Sequence, residues 1–348
     1  MLPTALLLAS ALATGVSAPD QADLEARVDA LMADYSGDVP GASVLVVHDG
    51  SVVLRKAYGL ADVENGIAAT TATNYRLASV TKQFTAAAIL LLAEDGRLDL
   101  HDPVRRWLPT LPPTPGAATL HQLLTHSSGI LDYEDYVPAT AVTQVRDADV
   151  LRLLEPRDRT LFPPGTGYRY SNSGYALLAL VVERASGRSF PDFLRERIFE
   201  PLGMESIAYV RGGPEPAHRA YGYSEVDGRW VRTDQSSTSA VLGDGGIYAS
   251  IDDLAKWDAA LYDDRLLDDA SRKLAFTAAT PTDEPDVAYG HGWRITGETL
   301  WHSGETIGFR NVIVRWPEQR LTVAILSNRN DPEPYETALA IGALFGAR

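Results

Sequence analysis

Ser79-Val80-Thr81-Lys82, the start of an apolar run that reaches Glu94, is the stretch on which the reading of this chain turns. Ser79 is the only serine with a lysine three residues downstream. From Val80 to Glu94 the residues Phe84, Ala88, Leu91 and Leu92 keep a helical period, and Gly96 stands where a C′ residue ends such a helix. On a helix that offset puts the amine and the hydroxyl one turn apart on the same face. A serine hydroxyl is a poor nucleophile until its proton is taken, and a close, partly desolvated lysine lowers that barrier. About one Ser-x-x-Lys spacing is expected by accident in a chain this long, so its surroundings decide.

Outward from this helix the pattern changes at both ends. Ala42 to His48 and Ser51 to Tyr58 flank Asp49-Gly50, a strong hairpin signal. Asn311 to Trp316 and Leu321 to Leu326 flank Pro317-Glu318-Gln319-Arg320 and read as a second hairpin. The middle reads helical. Thr119-Leu120-His121-Gln122 is a capping box, Gly174 to Ala185 is apolar enough for a buried helix, Ser189 starts a helix reaching Phe199, and Ser250 with Asp252 and Asp253 caps another. Pro109 to Pro115 reads as a surface connection. Strands at both termini with helices between predict an α/β (α+β) protein: a sheet domain from residues 19–78 and 212–348, and a helical domain from 79–211. Ser79 falls at that junction, where sites often form.

Composition narrows the function classes. The 348 residues are 45% apolar and 22% charged, as in a soluble globular protein. A net charge of −15 argues against a nucleic-acid partner, which needs a basic face. With no cysteine there is no disulfide, thiolate nucleophile or cysteine-ligated metal. The seven histidines form no His-Glu-x-x-His pair, so neither a metal nor a cofactor is expected. The apolar run from Met1 to Ala13 is too short to span a bilayer; with Ala11-Leu12-Ala13 and Val16-Ser17-Ala18 as small-x-small sites, residues 1–18 read as an export signal, placing the mature chain in the periplasm or outside the cell.

Two further motifs bear on Ser79. Tyr170-Ser171-Asn172 follows the turn-rich Pro163-Pro164-Gly165 and precedes the Gly174 helix. His302-Ser303-Gly304 lies in a β-like stretch beginning near Leu300. Their order and wide separation are the specific observation. With them the chain resembles the serine β-lactamase and penicillin-binding-protein superfamily, in the branch of class C β-lactamases, D-Ala-D-Ala carboxypeptidases, D-aminopeptidases and related esterases. The likeness runs from about Gly41 to the C-terminus and includes Leu123-Leu124-Thr125-His126-Ser127-Ser128-Gly129, Glu200-Pro201-Leu202-Gly203-Met204, Gly245-Gly246-Ile247-Tyr248-Ala249-Ser250 and Gly308-Phe309-Arg310.

That resemblance implies a β-lactamase-like fold, an antiparallel sheet flanked by helices with an all-helical insert. It makes Ser79 the nucleophile that forms an acyl-enzyme, Lys82 its neighbouring proton acceptor or electrostatic activator, and Tyr170 the residue that helps move the proton from the nucleophile to the leaving group. Asn172 would bind substrate and orient the lysine; His302-Ser303-Gly304 stands where the family often has Lys-Thr-Gly. The backbone N–H groups of Ser79 and Glu305 would form the oxyanion hole. Physical chemistry adds conditions. A phenol titrates near pH ~10 and accepts a proton at neutral pH only beside cations, for which Lys82 and a protonated His302 are the candidates. Gly304 is expected to let substrate approach the strand closely. Strand alternation puts Glu305 on the face of Ser303, aimed at the site, with Arg310 as its possible offset. Histidine in place of lysine and a carboxylate beside it make a C-terminal carboxylate poorly received, so neutral esters, amides or N-terminal D-amino acids are the expected substrates. These include peptidoglycan-derived peptides. The alternatives are a true carboxypeptidase or β-lactamase, or a silent peptidoglycan-binding or scaffold relative. Without a Gly-x-Ser-x-Gly elbow, an α/β-hydrolase triad is disfavoured.

Overall fold

The computed structural model describes residues 21–138 and 140–348. The proposed export signal lies outside the described residues.

Eight antiparallel strands form the main sheet, in the spatial order Thr280–Pro281, Val287–Tyr289, Arg294–Thr296, Thr299–Thr306, Phe309–Trp316, Leu321–Ser327, Ala42–His48, Ser51–Tyr58. Both hairpins read from the sequence are present, and the strands from the two termini meet where Val46 faces Val323. Asp49 and Gly50 both have positive φ, 50° and 73°, the backbone that a two-residue hairpin turn matching strand twist requires. The central strands are covered on both sides, hence their nearly continuous apolar sequences.

Alternation sends each strand's residues to two different cores. Val44, Val46, Val312, Val314, Val323 and Ile325 pack with Val28 of the helix Gln21–Leu31, with Met32 just beyond its end, and with Ala338 and Ile341 of the helix Tyr335–Leu344. Leu45, Val47, Ile313, Ala324 and Leu326 face the larger core, built on the helix Thr81–Glu94. Every residue of that helix from Thr81 to Leu92 is buried, Lys82 and Gln83 included. An all-round buried helix is central to a fold rather than laid on its surface. Phe84 stacks on Trp257 at 4.2 Å, and the Trp257 indole N–H donates to Gln83 Oε1 at 3.1 Å, while Gln83 Nε2 has no hydrogen bond among the described residues.

The helices between follow their caps. Thr119 and Gln122 form the reciprocal capping box of Leu120–Leu124. Ser171 caps Asn172–Ser186 through the Gly174 N–H, and left-handed Gly187 ends it. Ser250 caps Ile251–Ala260, which packs on the sheet. Departing from the expected surface connection, Pro113–Gly116 is one helical turn with Pro115 and Gly116 buried. The sequence reading also missed a three-stranded sheet of Tyr75–Arg76, Ile247–Ala249 and Ile207–Ala208, whose strands are too short for an alternation signal. No helix among the described residues is long and apolar enough to cross a membrane.

Candidate active site

Ser79 sits in a 3-10 turn, Ala78–Val80, between the Tyr75–Arg76 strand and the buried helix. Ala78 takes φ 48°, uncommon for a side-chain-bearing residue, and this sharp bend turns the chain from strand to helix at Ser79. The half-buried hydroxyl therefore stands at the helix N-terminus, where the dipole favours developing negative charge.

Lys82 is fully buried, and its Nζ donates to Ser79 Oγ at 3.0 Å, Asn172 Oδ1 at 2.9 Å and the Asp244 main-chain carbonyl at 2.9 Å. Those are three neutral acceptors for the three protons of an ammonium; no ion pair joins Lys82 to a carboxylate among the described residues. Asn172, the first residue of its helix, is held from both sides. Its N–H donates to Asp132 Oδ2 at 2.8 Å and its Nδ2 to Glu134 Oε1 at 3.3 Å, which turns the amide oxygen to Lys82. Tyr170 borders the same space, with Lys82 Nζ 4.8 Å from its ring centroid.

The third motif arrives differently from expectation. Cross-strand partners share a face, so His302 and Gly304, opposite Ile313 and Asn311, face the Ser79 turn; Ser303 and Glu305 take the other face. A Cβ on Gly304 would lie 2.1 Å from the Leu77 carbonyl oxygen. Gly304 thus allows the strand to lie against the turn that carries Ser79, which comes before any approach by substrate. Glu305 borders the Ser79 cavity as an exposed residue at its rim. Arg310 does not offset it: Arg310 pairs with Glu333 and donates to the Thr306 and Phe309 carbonyls.

His302 is corrected in charge. It is buried, its Nδ1–H donates to the Ser303 carbonyl at 2.6 Å, and its Nε2 accepts from the Tyr289 hydroxyl at 2.8 Å. Burial, then the nearby charges of Arg294 and Lys82, push it well below the ordinary imidazole value. A neutral His302 supplies no charge to Tyr170. The second cation is Arg294, whose guanidinium carbon is 5.9 Å from the Tyr170 ring centroid and which pairs with Glu284. His126 is also neutral and buried; its Nδ1 accepts the Ser171 N–H at 3.1 Å and its ring lies 4.3 Å from that of Tyr170, so it supports the motif from behind.

The structure thus brings Ser79, Lys82, Tyr170, Asn172, His302 and Gly304 together, with Ser303 on the opposite strand face and Glu305 at the rim. Sequence reasoning missed Arg294, Tyr289, Asp244, Asp132, Tyr133 and Glu134. Two signals were available: Asp132-Tyr133-Glu134 follows the Ser128-Gly129 phrase, and Asp244 immediately precedes Gly245-Gly246. The site opens into a cleft of about 730 Å³, walled by Ile130, Leu161, Phe162, Tyr168 and Tyr170, with Asp132, Glu134, Asp135 and Asp283 against the single cation Arg169.

Residues 24–347 match the family model described as Beta-lactamase. A penicillin-binding protein of Bacillus subtilis (strain 168) is 34% identical over 87% of this chain and 72% of its own length. The D-aminopeptidase of Gluconobacter oxydans (strain 621H) is 31% identical over 93% of the chain, which spans only 62% of that relative. Among solved structures, an octameric penicillin-binding protein homologue from Pyrococcus abyssi superposes with a TM-score of 0.83 at 29% identity, over 95% of this chain and 78% of that one. The D-amino acid amidase of Ochrobactrum anthropi SV3, complexed with L-phenylalanine amide, gives 0.80 at 26% identity, over 93% and 100%. With the family model spanning residues 24–347 and a relative 34% identical over most of both chains, the chain belongs to the Beta-lactamase family.

Proposed function

We propose that this chain is a serine hydrolase acting through an acyl-Ser79 intermediate on an amide, peptide or ester whose acyl residue carries a free amino group, with a D-amino acid as the favoured residue. The observation that carries the reading is the Ser79 hydroxyl 3.0 Å from the amine of a fully buried lysine. In this mechanism Lys82, which donates to Ser79 Oγ in the resting site, first gives one proton to solvent; the Ser79 Oγ–acyl bond then forms as the hydroxyl proton passes to the neutral amine. The carbon–leaving-group bond breaks as that proton reaches the leaving amine or alkoxide by way of Tyr170. Water then repeats the sequence on the acyl-enzyme. The N–H groups of Ser79 and Glu305 are the proposed oxyanion donors.

The substrate preference rests on charge. Glu134 and Glu305 border the Ser79 cavity, and four carboxylates against one arginine border the adjoining cleft. Arg76 also borders the cavity, but its guanidinium donates to the Gly245 and Ser239 carbonyls. A substrate ammonium is favoured there and a substrate carboxylate opposed. The relatives named for D-amino acid chemistry support the same choice. Export through residues 1–18 belongs to this proposal.

The test compares a D-alanyl anilide, its N-acetyl form, a D-Ala-D-Ala peptide and nitrocefin. Acetylation removes a charge-assisted contact and is expected to cost about 10- to 100-fold in kcat/KM. Glu134→Gln should shrink that ratio, and Ser79→Ala should abolish labelling by a fluorophosphonate. Nitrocefin turned over faster than the aminoacyl anilide would sink the substrate assignment; Ser79-independent labelling would sink the nucleophile.

A further inference from the structure

Two spaces adjoin the reacting atoms, and they differ greatly in size. Ser79 borders a cavity of about 50 Å³ with Arg76, Thr238, Gly245, Glu305 and Thr306, whereas Tyr170 borders the neighbouring cleft of about 730 Å³. Asn172 and Glu134 border both, so the two spaces meet there. The chemistry assigns one end of the substrate to each. An acyl carbon on Ser79 Oγ, with its oxygen at the Ser79 and Glu305 N–H groups, keeps the acyl residue in the smaller cavity. A departing amine that takes its proton by way of Tyr170 leaves on the side of the cleft.

The walls differ as well. In the cavity the Arg76 guanidinium is tied to the Gly245 and Ser239 carbonyls at 3.1 Å each. Tyr133 is buried, its N–H on Ser173 Oγ at 2.7 Å and its hydroxyl on Asp244 Oδ2 at 3.1 Å. Walls packed and hydrogen-bonded in this way do not retreat freely before a bulky side chain. The cleft is open and apolar along one side: Ile130 is buried, Phe162 half-buried and Leu161 52% exposed. A lone exposed leucine is ordinary, but this one continues an apolar wall that leads to the site. The segment is set in advance, because the Leu161 N–H donates to the Gly129 carbonyl at 2.7 Å and a Cβ on left-handed Gly129 would collide with the Phe162 carbonyl oxygen.

We infer that the substrate is divided unevenly between the two spaces: the residue acylated onto Ser79 has a short side chain, and the residue that departs carries an apolar side chain, which packs in the cleft against Ile130, Leu161 and Phe162. This rests on the proposed acyl-Ser79 hydrolysis of an aminoacyl substrate and narrows it to peptides. The Ser79 Oγ–acyl bond forms, the peptide C–N bond breaks, the proton carried through Tyr170 goes to the departing amine, and water then frees the acyl residue. A carboxylate on the departing residue would meet Asp132, Asp135 and Asp283 in the cleft, so an amidated or longer chain is the favoured form.

The experiment measures kcat/KM for D-Ala-Gly amide, D-Ala-Leu amide with the leucine in each configuration, and D-Phe-Gly amide. The departing amines have similar basicity, so a ratio between them reports the side chain. Burial of a leucine in the cleft is expected to favour the better D-Ala-Leu amide over D-Ala-Gly amide by about 10-fold. Phe162→Ala and Leu161→Ala should each shrink that ratio, which is taken within one preparation so that the folded fraction cancels. Replacing D-Ala by D-Phe on the acyl side should cost about 10-fold. A leucine-to-glycine ratio near one in the wild type, or one that neither substitution alters, overturns the cleft assignment. D-Phe-Gly amide cleaved as fast as D-Ala-Gly amide overturns the uneven division. A D-alanyl anilide separates this inference from the reading beneath it: Ser79-dependent turnover of the anilide with no preference among the peptide amides sinks the inference alone. No turnover of the anilide or of any peptide amide sinks the hydrolase reading and the inference with it.

Discussion

Two buried cations, Lys82 and Arg315, are both fully excluded from solvent, and the protein treats them in opposite ways. Arg315 has a carboxylate. Its Nε lies 2.7 Å from Asp258 Oδ1, which also accepts the Thr322 hydroxyl at 2.7 Å, and aromatic faces of Tyr262, Phe276 and Trp293 surround the guanidinium. The pair joins the sheet to the helix Ile251–Ala260. Lys82 has only neutral oxygens, from Ser79, Asn172 and the Asp244 main chain. An arginine never surrenders its proton, so a fixed counter-ion suits it; a lysine that must act as a base is hindered by one. One cation is built to stay charged and the other to change charge.

The comparison can be broken at either end. Lys82→Met should lower Ser79 acylation about ten-thousand-fold while the protein still folds, read by labelling rate alongside thermal unfolding. Comparable rates in variant and wild type would remove the distinction. Arg315→Met should do the reverse, costing about 3–5 kcal/mol of stability by stranding the Asp258 carboxylate, with the folded fraction still acylated. Adding Asp258→Leu should restore much of that loss; a double variant as unstable as the single would mean that packing, not charge, is what Arg315 supplies.

The smallest effect concerns His302, a group that the site keeps neutral. Tyr289→Phe leaves Nε2 without its donor and should cost about 1 kcal/mol. Because the folded pKa of His302 lies below its unfolded value, its contribution to stability is present above about pH 6.5 and lost as pH falls below it. The wild-type acylation profile should therefore show no step near pH ~6.5 from His302. A step there that disappears in His302→Gln would restore the cationic role expected from the sequence.

How much was legible follows from the same residues. Ser79, Lys82, Tyr170, Asn172 and His302 could be named because they stand in short motifs that resemble those of the family, and each motif lies beside a helix start, a cap or a strand. Arg294 and Tyr289 were not, since they lie on short strands with no alternation to read and act only through their distance to Tyr170 and His302. Gly304 was picked out for the approach of substrate, whereas its packing on the Leu77 carbonyl is announced by nothing local. His302 was assigned a charge from its residue type, and burial reversed it.

The sequence by itself determined the two hairpins, the buried helix and the caps, because those depend on periodicity and on neighbours a few positions away, and its short motifs carried the resemblance that named the site residues. Tertiary structure alone decided which groups are charged. Desolvation and Coulomb terms depend on what burial brings together, and Lys82, Asp244, Arg294 and His302 come from segments up to 220 residues apart in the chain.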